Sequence, residues 1–167
     1  MSRRGDDANT PDRQQPRLPS TAAPPGRHRA LRLMAVPFLA CMALVAQIYG
    51  LPPRVLPSIQ AVEGGAPGVV HLNADGSEDL GVMQVNTLWI PRLVRYTRLD
   101  AAVVRSRLLG EPCFNIAASG LIMRTYLDEA RGDVLRAVGY YHSHTPALHE
   151  AYKARVLRSA TRLFAGG

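Results

Sequence analysis

The stretch Pro57-Ser58-Ile59-Gln60-Ala61-Val62-Glu63-Gly64-Gly65 places a single carboxylate at the end of an apolar segment, directly before two glycines. Pro53, just ahead of it, is suited to the first turn of a helix, and the glycines are typical of a helix end. We therefore predict a helix from Pro53 to about Val62. Most glutamates are solvated charges on a surface, but a glutamate at this position is held by a rigid element at the mouth of a cleft.

Two further polar segments follow Glu63 along the chain. Gly81-Val82-Met83-Gln84-Val85-Asn86 begins eighteen residues later, and Gly139-Tyr140-Tyr141-His142-Ser143-His144 lies near the C-terminus. Side-chain amides suit the N-acetyl and hydroxyl groups of a sugar, and a glycine lets backbone and ligand approach closely. The residues alone favour a simpler interpretation, in which Gln84 is a local helix cap and Met83 is an ordinary core residue.

In their order and spacing, these three segments resemble the lytic transglycosylases, specifically the small secretion- and conjugation-associated branch with a goose-type lysozyme-like catalytic domain. The resemblance covers roughly residues 49–157 and places the catalytic acid at Glu63. It implies that the glycan is contacted by Gly81, Met83, Gln84, Asn86, Tyr141 and His142. The match is partial, because Gly64, His142 and His144 stand where the family usually has Ser, Asn and Gly.

The resemblance implies a mainly α, single lysozyme-like domain with a short loop or β-hairpin at the cleft. Hydrophobic periodicity predicts helices over residues 82–95, 100–109, 113–130, 132–142 and 146–164. Residues 64–79 are rich in Gly and Pro, and Asn73-Ala74-Asp75-Gly76 predicts the turn of a hairpin. Arg131-Gly132-Asp133 is typical of a helix stop followed by a capping aspartate.

Glycosidic cleavage needs a proton for the leaving oxygen, so one carboxyl must stay protonated near neutral pH, which an apolar pocket achieves by raising its pKa. Val62, Met83 and the Tyr140-Tyr141 pair are candidates for that pocket. Tyr141 is a candidate to hold the Glu63 carboxyl or a sugar oxygen, with a half-buried core tyrosine as the alternative. In lytic transglycosylases one glutamate acts as acid and then as base. The resemblance thus implies cleavage of the β-1,4 bond between N-acetylmuramic acid and N-acetylglucosamine in peptidoglycan, with formation of 1,6-anhydromuramic acid and without a cofactor.

Three alternatives stay open. We expect the acids of the loop before Gly81 to make turn contacts, but Asp79 as a second catalytic carboxylate would make the chain a muramidase that uses water. A site altered at Gly64 and His142 would leave a non-catalytic peptidoglycan-binding or assembly scaffold. His142 and His144 suggest a metal site, but we predict no metal because there is no nearby Cys and no third ligand in register.

Composition divides the 167 residues into three parts. Residues 1–32 hold seven arginines against three aspartates, a net +4 of the total +7, and almost no large apolar side chain, which predicts a disordered basic segment. Residues 33–46 are uncharged and mostly apolar, which predicts an export signal or, alternatively, the first helix of the domain. Residues 47–165 form the predicted catalytic domain.

The apolar segment over residues 33–46 predicts where the protein lies in the cell. As a helix it would reach only about 21 Å, short of a hydrocarbon core of roughly 30 Å, so we predict an exported, periplasmic protein. Association with the inner membrane through residues 33–46 is the alternative. The basic excess lacks the clustered lysines and interleaved aromatics of a nucleic-acid binder. The partners that the resemblance implies are peptidoglycan glycan strands and components of a secretion, conjugation or pilus apparatus.

Cys41 and Cys113 are the only cysteines, and an even count in an exported protein suggests a bridge. In the branch that the chain resembles, one cysteine lies eight residues before the tyrosine that precedes the catalytic helix, as Cys41 does before Tyr49. Its partner follows an acidic-Pro pair, as Cys113 does. The resemblance implies a disulfide and signal cleavage before Cys41. Cleavage after Ala43 or Ala46 would instead remove Cys41, and lipid attachment at Cys41 is a further option.

Overall fold

The computed structural model describes residues 36–165. Within this range the chain forms seven α-helices and one small antiparallel sheet, which confirms the prediction of a mainly α lysozyme-like domain. The helices are α1 (Leu39–Tyr49), α2 (Val55–Glu63), α3 (Ile90–Thr97), α4 (Ala101–Gly110), α5 (Pro112–Glu129), α6 (Val134–His142) and α7 (Pro146–Phe164). The strands are β1 (Val70–Leu72), β2 (Glu78–Leu80) and β3 (Val85–Asn86).

The long helix α5 is the centre of the packing. It begins with Pro112, where the missing N–H costs nothing, and α1, α4 and α6 all pack against it. Its inward residues Ile116, Ile122 and Met123 are almost completely buried. The last helix, α7, packs against both α2 and α6. The end of α2 therefore lies next to α7, although the two helices are far apart in sequence.

The hairpin was predicted correctly from its turn. Asn73 to Gly76 connect β1 and β2, Gly76 takes a positive φ of 82°, and the Asp75 carboxylate accepts hydrogen bonds from the backbone N–H and hydroxyl of Ser77 at 2.9 and 2.7 Å. The side chain of a turn aspartate commonly closes the turn in this way. The strand β2 pairs with β1 on one side and with β3 on the other.

The predicted helix over residues 82–95 is wrong in its first half. Residues 81–84 form a turn, Val85 and Asn86 form β3, and a 3₁₀ turn over Thr87–Trp89 leads into α3. Val82, Met83 and Val85 are buried, so a short apolar run was mistaken for a helical face. The backbone cannot continue as a helix there because Gly81 and Gln84 both have positive φ, 69° and 49°. The predicted stop and cap at residues 131–133 is confirmed, since Gly132 has a φ of 88° and the Asp133 side chain accepts from the Arg136 N–H at 3.0 Å.

The fully buried side chain of Asn115 joins the sheet to the helices. Its amide nitrogen donates to the carbonyl oxygens of Leu80 at 2.7 Å and Leu108 at 2.8 Å, and its amide oxygen accepts from the backbone N–H of Met83 at 2.9 Å. A buried amide must find partners for its polar atoms, and here the partners are the last residue of β2, the turn that follows it and the end of α4. The amide therefore fixes the position of this turn relative to α5.

The apolar segment predicted over residues 33–46 lies partly in α1, whose Met42, Val45 and Ala46 are buried. Cys41 is disulfide-bonded to Cys113, with their Cα atoms 5.5 Å apart, and the bond ties α1 to the start of α5. None of the helices described between residues 36 and 165 has the length and apolarity needed to cross a membrane. The predicted disordered segment, residues 1–32, and the first residues of the apolar segment lie outside the described residues.

Candidate active site

Glu63 is the last residue of α2. The helix ends there because Gly64 takes the left-handed conformation, with a φ of 64°, and donates its N–H to the carbonyl of Gln60 at 2.9 Å. Glycine adopts this conformation at little cost. The half-buried carboxyl consequently lies at the negative end of the helix dipole, an environment that disfavours a second negative charge.

The carboxyl of Glu63 accepts a hydrogen bond from the phenol of Tyr152 on α7. Tyr152 is 2% exposed, so this bond is made inside the protein. Burial raises the pKa of Glu63 to about 7, although the Tyr152 hydrogen bond and the positive charge of Arg155 both lower it. A carboxyl with such a pKa is protonated in a large fraction of molecules near neutral pH, which is the state that a general acid needs.

Two charged residues act on the carboxyl of Glu63. Arg155, one turn beyond Tyr152, donates to the backbone carbonyl of Val62 at 3.4 Å. Asp79 on β2 adds a negative charge that slightly raises the pKa of Glu63. The carboxylate of Asp79 accepts a hydrogen bond from the amide of Asn86 at 2.8 Å across the β2–β3 pair. Thus Asn86 orients the second acid of the site.

The turn over Gly81–Gln84 lies next to the end of α2 in the candidate site. Gln84 donates from its side-chain amide to the carbonyl of Gly81 at 2.8 Å. Gly65 approaches this turn so closely that any side chain at position 65 would collide with the carbonyl oxygen of Gly81. The end of α2 and the turn are therefore adjacent, as the order of the sequence motifs suggested. Met83 itself is completely buried and is part of the core.

Tyr141 does not make the hydrogen bond to Glu63 that we considered from the sequence. Its phenol donates to the backbone carbonyl of Met83 at 3.0 Å and lies 2.9 Å from the hydroxyl of Ser119. Burial and the nearby charge of Glu63 raise the pKa of Tyr141, so the phenol stays protonated. Its neighbour Tyr140 faces away from this hydrogen-bond network and packs on the rings of Tyr126 and His144. Tyr141 thus anchors α6 to the turn.

The two histidines of the last motif are separated. The ring of His142 stacks on Tyr152 with centroids 4.8 Å apart, and partial burial together with the charge of Arg155 lowers the pKa of His142. His144 instead stacks on Tyr140 and lies 2.8 Å from a carboxylate oxygen of Glu129. Among residues 36–165, no three His, Cys, Asp or Glu side chains are grouped so that they could hold a metal ion.

Tyr152 and Arg155 are the site residues that the sequence analysis missed. Tyr152 lies 89 residues from Glu63, and no local pattern connects the two. One signal was present: His149, Tyr152 and Val156 recur at helical spacing and form the buried stripe of α7. A phenol on an inward-facing stripe needs a hydrogen-bond partner inside the protein. The sequence does not indicate which residue that partner is.

The fold and the site together define a mainly α lysozyme-like domain in which Glu63, at a helix end, carries a half-buried carboxyl of raised pKa. The chain is a distant homologue of Invasion protein IagB of Salmonella typhimurium, strains SL1344 and LT2, and of Salmonella typhi, with 27% identity over 106 residues. The matched region covers 63% of this chain and 62% of each relative, so the chain spans about three fifths of the length of these curated relatives. No protein-family model matches the chain.

Proposed function

We propose that this chain is a peptidoglycan lytic transglycosylase that cleaves the β-1,4 bond between N-acetylmuramic acid and N-acetylglucosamine. The observation that carries the proposal is the carboxyl of Glu63, half-buried and hydrogen-bonded to Tyr152, with a pKa of about 7. Such a group can give up a proton and take one back at the same pH, and a single acid that does both is what this reaction requires.

In the first step Glu63 donates its proton to the glycosidic oxygen. The bond from that oxygen to C1 of muramic acid breaks, the N-acetylglucosamine leaves with a hydroxyl, and positive charge develops at C1. The ionised Glu63 is then stabilised by the hydrogen bond from Tyr152 and by the charge of Arg155. Both groups act on the carboxylate more strongly than on the neutral acid.

In the second step the Glu63 carboxylate accepts the proton of the C6 hydroxyl of the same muramic acid. The C6 oxygen bonds to C1 and closes the 1,6-anhydro ring, so no water is consumed and the acid regains its starting state. Of the remaining predicted sugar contacts, we assign Gln84 and the partly buried ring of His142 to the glycan. Gly81 is buried against Leu108 and Asn115, so it shapes the turn and does not contact the sugar. Tyr141 and Asn86 are positioning residues, because their polar hydrogens are engaged within the protein.

A water-using muramidase is the second candidate, and Asp79 is the observation that favours it. Asp79 lies close enough to raise the pKa of Glu63 and is oriented by Asn86. A second carboxylate across the cleft from the acid is the arrangement by which glycosidases stabilise the developing cation or activate water.

We also propose that the protein is exported to the periplasm, where it acts for an envelope-spanning apparatus. The sequence resemblance supports both parts of this proposal.

The test is mass analysis of the muropeptides released from purified sacculi. A transglycosylase leaves 1,6-anhydromuramic acid ends, lighter than reducing ends by one water. Reducing ends would establish the muramidase in its place. Tight binding to sacculi with no product would refute both enzyme candidates and leave the non-catalytic scaffold.

A further inference from the structure

The second half of α7 carries positive charge on its solvent side. After Glu150 the helix contains no acidic residue, while Arg155, Arg158 and Arg162 follow one another at intervals of three and four. Residues at this spacing lie on one side of a helix, and all three of these residues are exposed. We call this row of three residues the α7 arginine stripe.

The arginine stripe has no counter-charge of its own. Within residues 36–165, none of its three guanidinium groups forms an ion pair with a carboxylate. Other arginines of the domain do form such pairs, as Arg105 does with Glu78 and Arg124 with Asp128. A row of like charges without partners attracts ligands of the opposite charge. The stripe is therefore suited to a ligand that carries several negative charges.

The stripe begins at the candidate active site. Arg155 donates to the backbone carbonyl of Val62, and its charge lowers the pKa of Glu63. From Arg155 the helix continues for seven residues to Arg162, which is about 10 Å at 1.5 Å per residue. About three residues of an extended peptide span the same distance. A short peptide attached to a sugar at Glu63 is thus long enough to reach the end of the stripe.

We infer that the α7 arginine stripe binds the carboxylates of the peptide that is linked to muramic acid in peptidoglycan, an inference that rests on the proposed function. The N-acetylated sugars carry no charge once the muramic acid carboxyl is bonded to the peptide, so the peptide is the anionic part of the strand. A guanidinium can bind a carboxylate through two parallel N–H groups. Continuity with the site around Glu63 favours this ligand over an anionic lipid surface.

The stripe would make the protein selective for glycan that still carries its peptides. Arg158 and Arg162 lie one and two turns beyond Arg155, away from the reacting bond. Their contribution is therefore to substrate binding, so their loss should raise KM and leave kcat unchanged. Removal of the peptides from the glycan should have the same effect as removal of the two arginines.

The experiment measures binding of the full chain, made inactive by Glu63→Gln, to fluorescently labelled glycan strands. The strands are compared with their peptides intact and after an amidase has removed them. Adding R158Q/R162Q should weaken binding to intact strands about three- to tenfold and leave binding to peptide-free strands unchanged. The control R95Q/R98Q removes the same charge from two exposed arginines at the end of α3, a helix that packs against α4, and should bind as its parent does.

Equal binding of intact strands with and without R158Q/R162Q would overturn the inference. So would an equal loss on peptide-free strands, or an equal loss in R95Q/R98Q, because the effect would then not depend on the peptide or on the position of the charge. Loss of binding to phosphatidylglycerol vesicles alone would assign the stripe to lipid instead.

Release of products by the chain with Glu63 intact tests the proposed function separately. R158Q/R162Q should release the same products at the same kcat from saturating strands, which also shows that the variant is folded. Stripe-dependent binding without any product would refute the activity and leave the peptide-binding surface. Normal product release with the same KM in R158Q/R162Q would refute this inference alone.

Discussion

The phenol of Tyr152 donates a hydrogen bond to the carboxyl of Glu63 across 89 residues of sequence. The two residues come from α7 and from the end of α2, helices that pack directly on each other. Burial and the charge of Glu63 both raise the pKa of Tyr152, so the phenol remains a donor through the neutral range. The pKa of Glu63 thus reflects burial, which favours the acid, against the Tyr152 hydrogen bond and the charge of Arg155, which favour the carboxylate.

Replacing Glu63 by glutamine should abolish nearly all cleavage while leaving the fold intact. Glutamine has the same size and can still accept from Tyr152, but it has no transferable proton. Loss of general acid catalysis costs about 10² to 10⁴ in rate. Clearing of purified sacculi measures the loss, and circular dichroism checks the fold. Full activity in a folded variant would show that another residue is the acid.

The same substitution should stabilise the protein at high pH. Folded Glu63 keeps its proton up to about pH 7, whereas the unfolded chain releases it near its ordinary pKa of about 4.3. The folded state therefore binds more protons in this window, and the stability of the unmodified protein falls as pH rises from about 4 to 7. Urea unfolding at pH 8 should favour the glutamine variant by up to the order of 3 kcal/mol. The two proteins should converge near pH 4, and equal stability at pH 8 would contradict the raised pKa.

Tyr152→Phe should move the alkaline limb of the activity profile to higher pH. The lost hydrogen bond lowers the pKa of Glu63 in the unmodified protein, so its removal raises that pKa further. Hydrogen bonds to charged groups contribute about 1.5 to 3 kcal/mol, which corresponds to a displacement of roughly one to two pH units. Tyr140→Phe is the matched control, since its phenol accepts from Arg136 at 2.8 Å away from the site. A limb that stays in place in Tyr152→Phe, or moves equally in the control, would contradict this role.

Asp79→Asn separates the two enzyme candidates. If Glu63 acts alone, the variant should retain activity within about tenfold and release the same anhydro products, because asparagine can still accept from Asn86. If Asp79 activates water or supports the cation, the loss should approach that of Glu63→Gln, about 10² or more. Glu78→Gln is a control on the same strand, where the carboxylate pairs with Arg105 at 2.6 Å.

Peptide mapping of the purified protein without reductant should find Cys41 joined to Cys113. The bond closes 72 residues, and a loop of that size contributes about 4 kcal/mol by restricting the unfolded chain. The double variant C41S/C113S should therefore lose stability by up to this amount in urea. A free Cys113 thiol, or a mature chain that begins after Cys41, would show that α1 is part of the signal.

How much the sequence could predict depended on how local each feature is. The hairpin and the stop after α5 were predictable because Asp75, Gly76 and Gly132 act on their immediate neighbours. The turn at residues 81–84 was mistaken for a helix because its shape is imposed by Asn115, more than thirty residues away. Glu63 was identified from a resemblance, whereas Tyr152 was not, because only the packing of α7 on α2 brings the two together.

The three hydrogen bonds of Asn115 have a mechanical consequence. They join the strand β2, the turn below Glu63 and the end of α4 through one completely buried amide. Moving the sheet away from α5 would break these hydrogen bonds and leave the polar groups without partners in an apolar interior. Each such group costs about 1 to 3 kcal/mol. The sheet is therefore held in a fixed position relative to α4 and α5. We expect the sheet to keep the same position relative to α5 with and without a bound ligand.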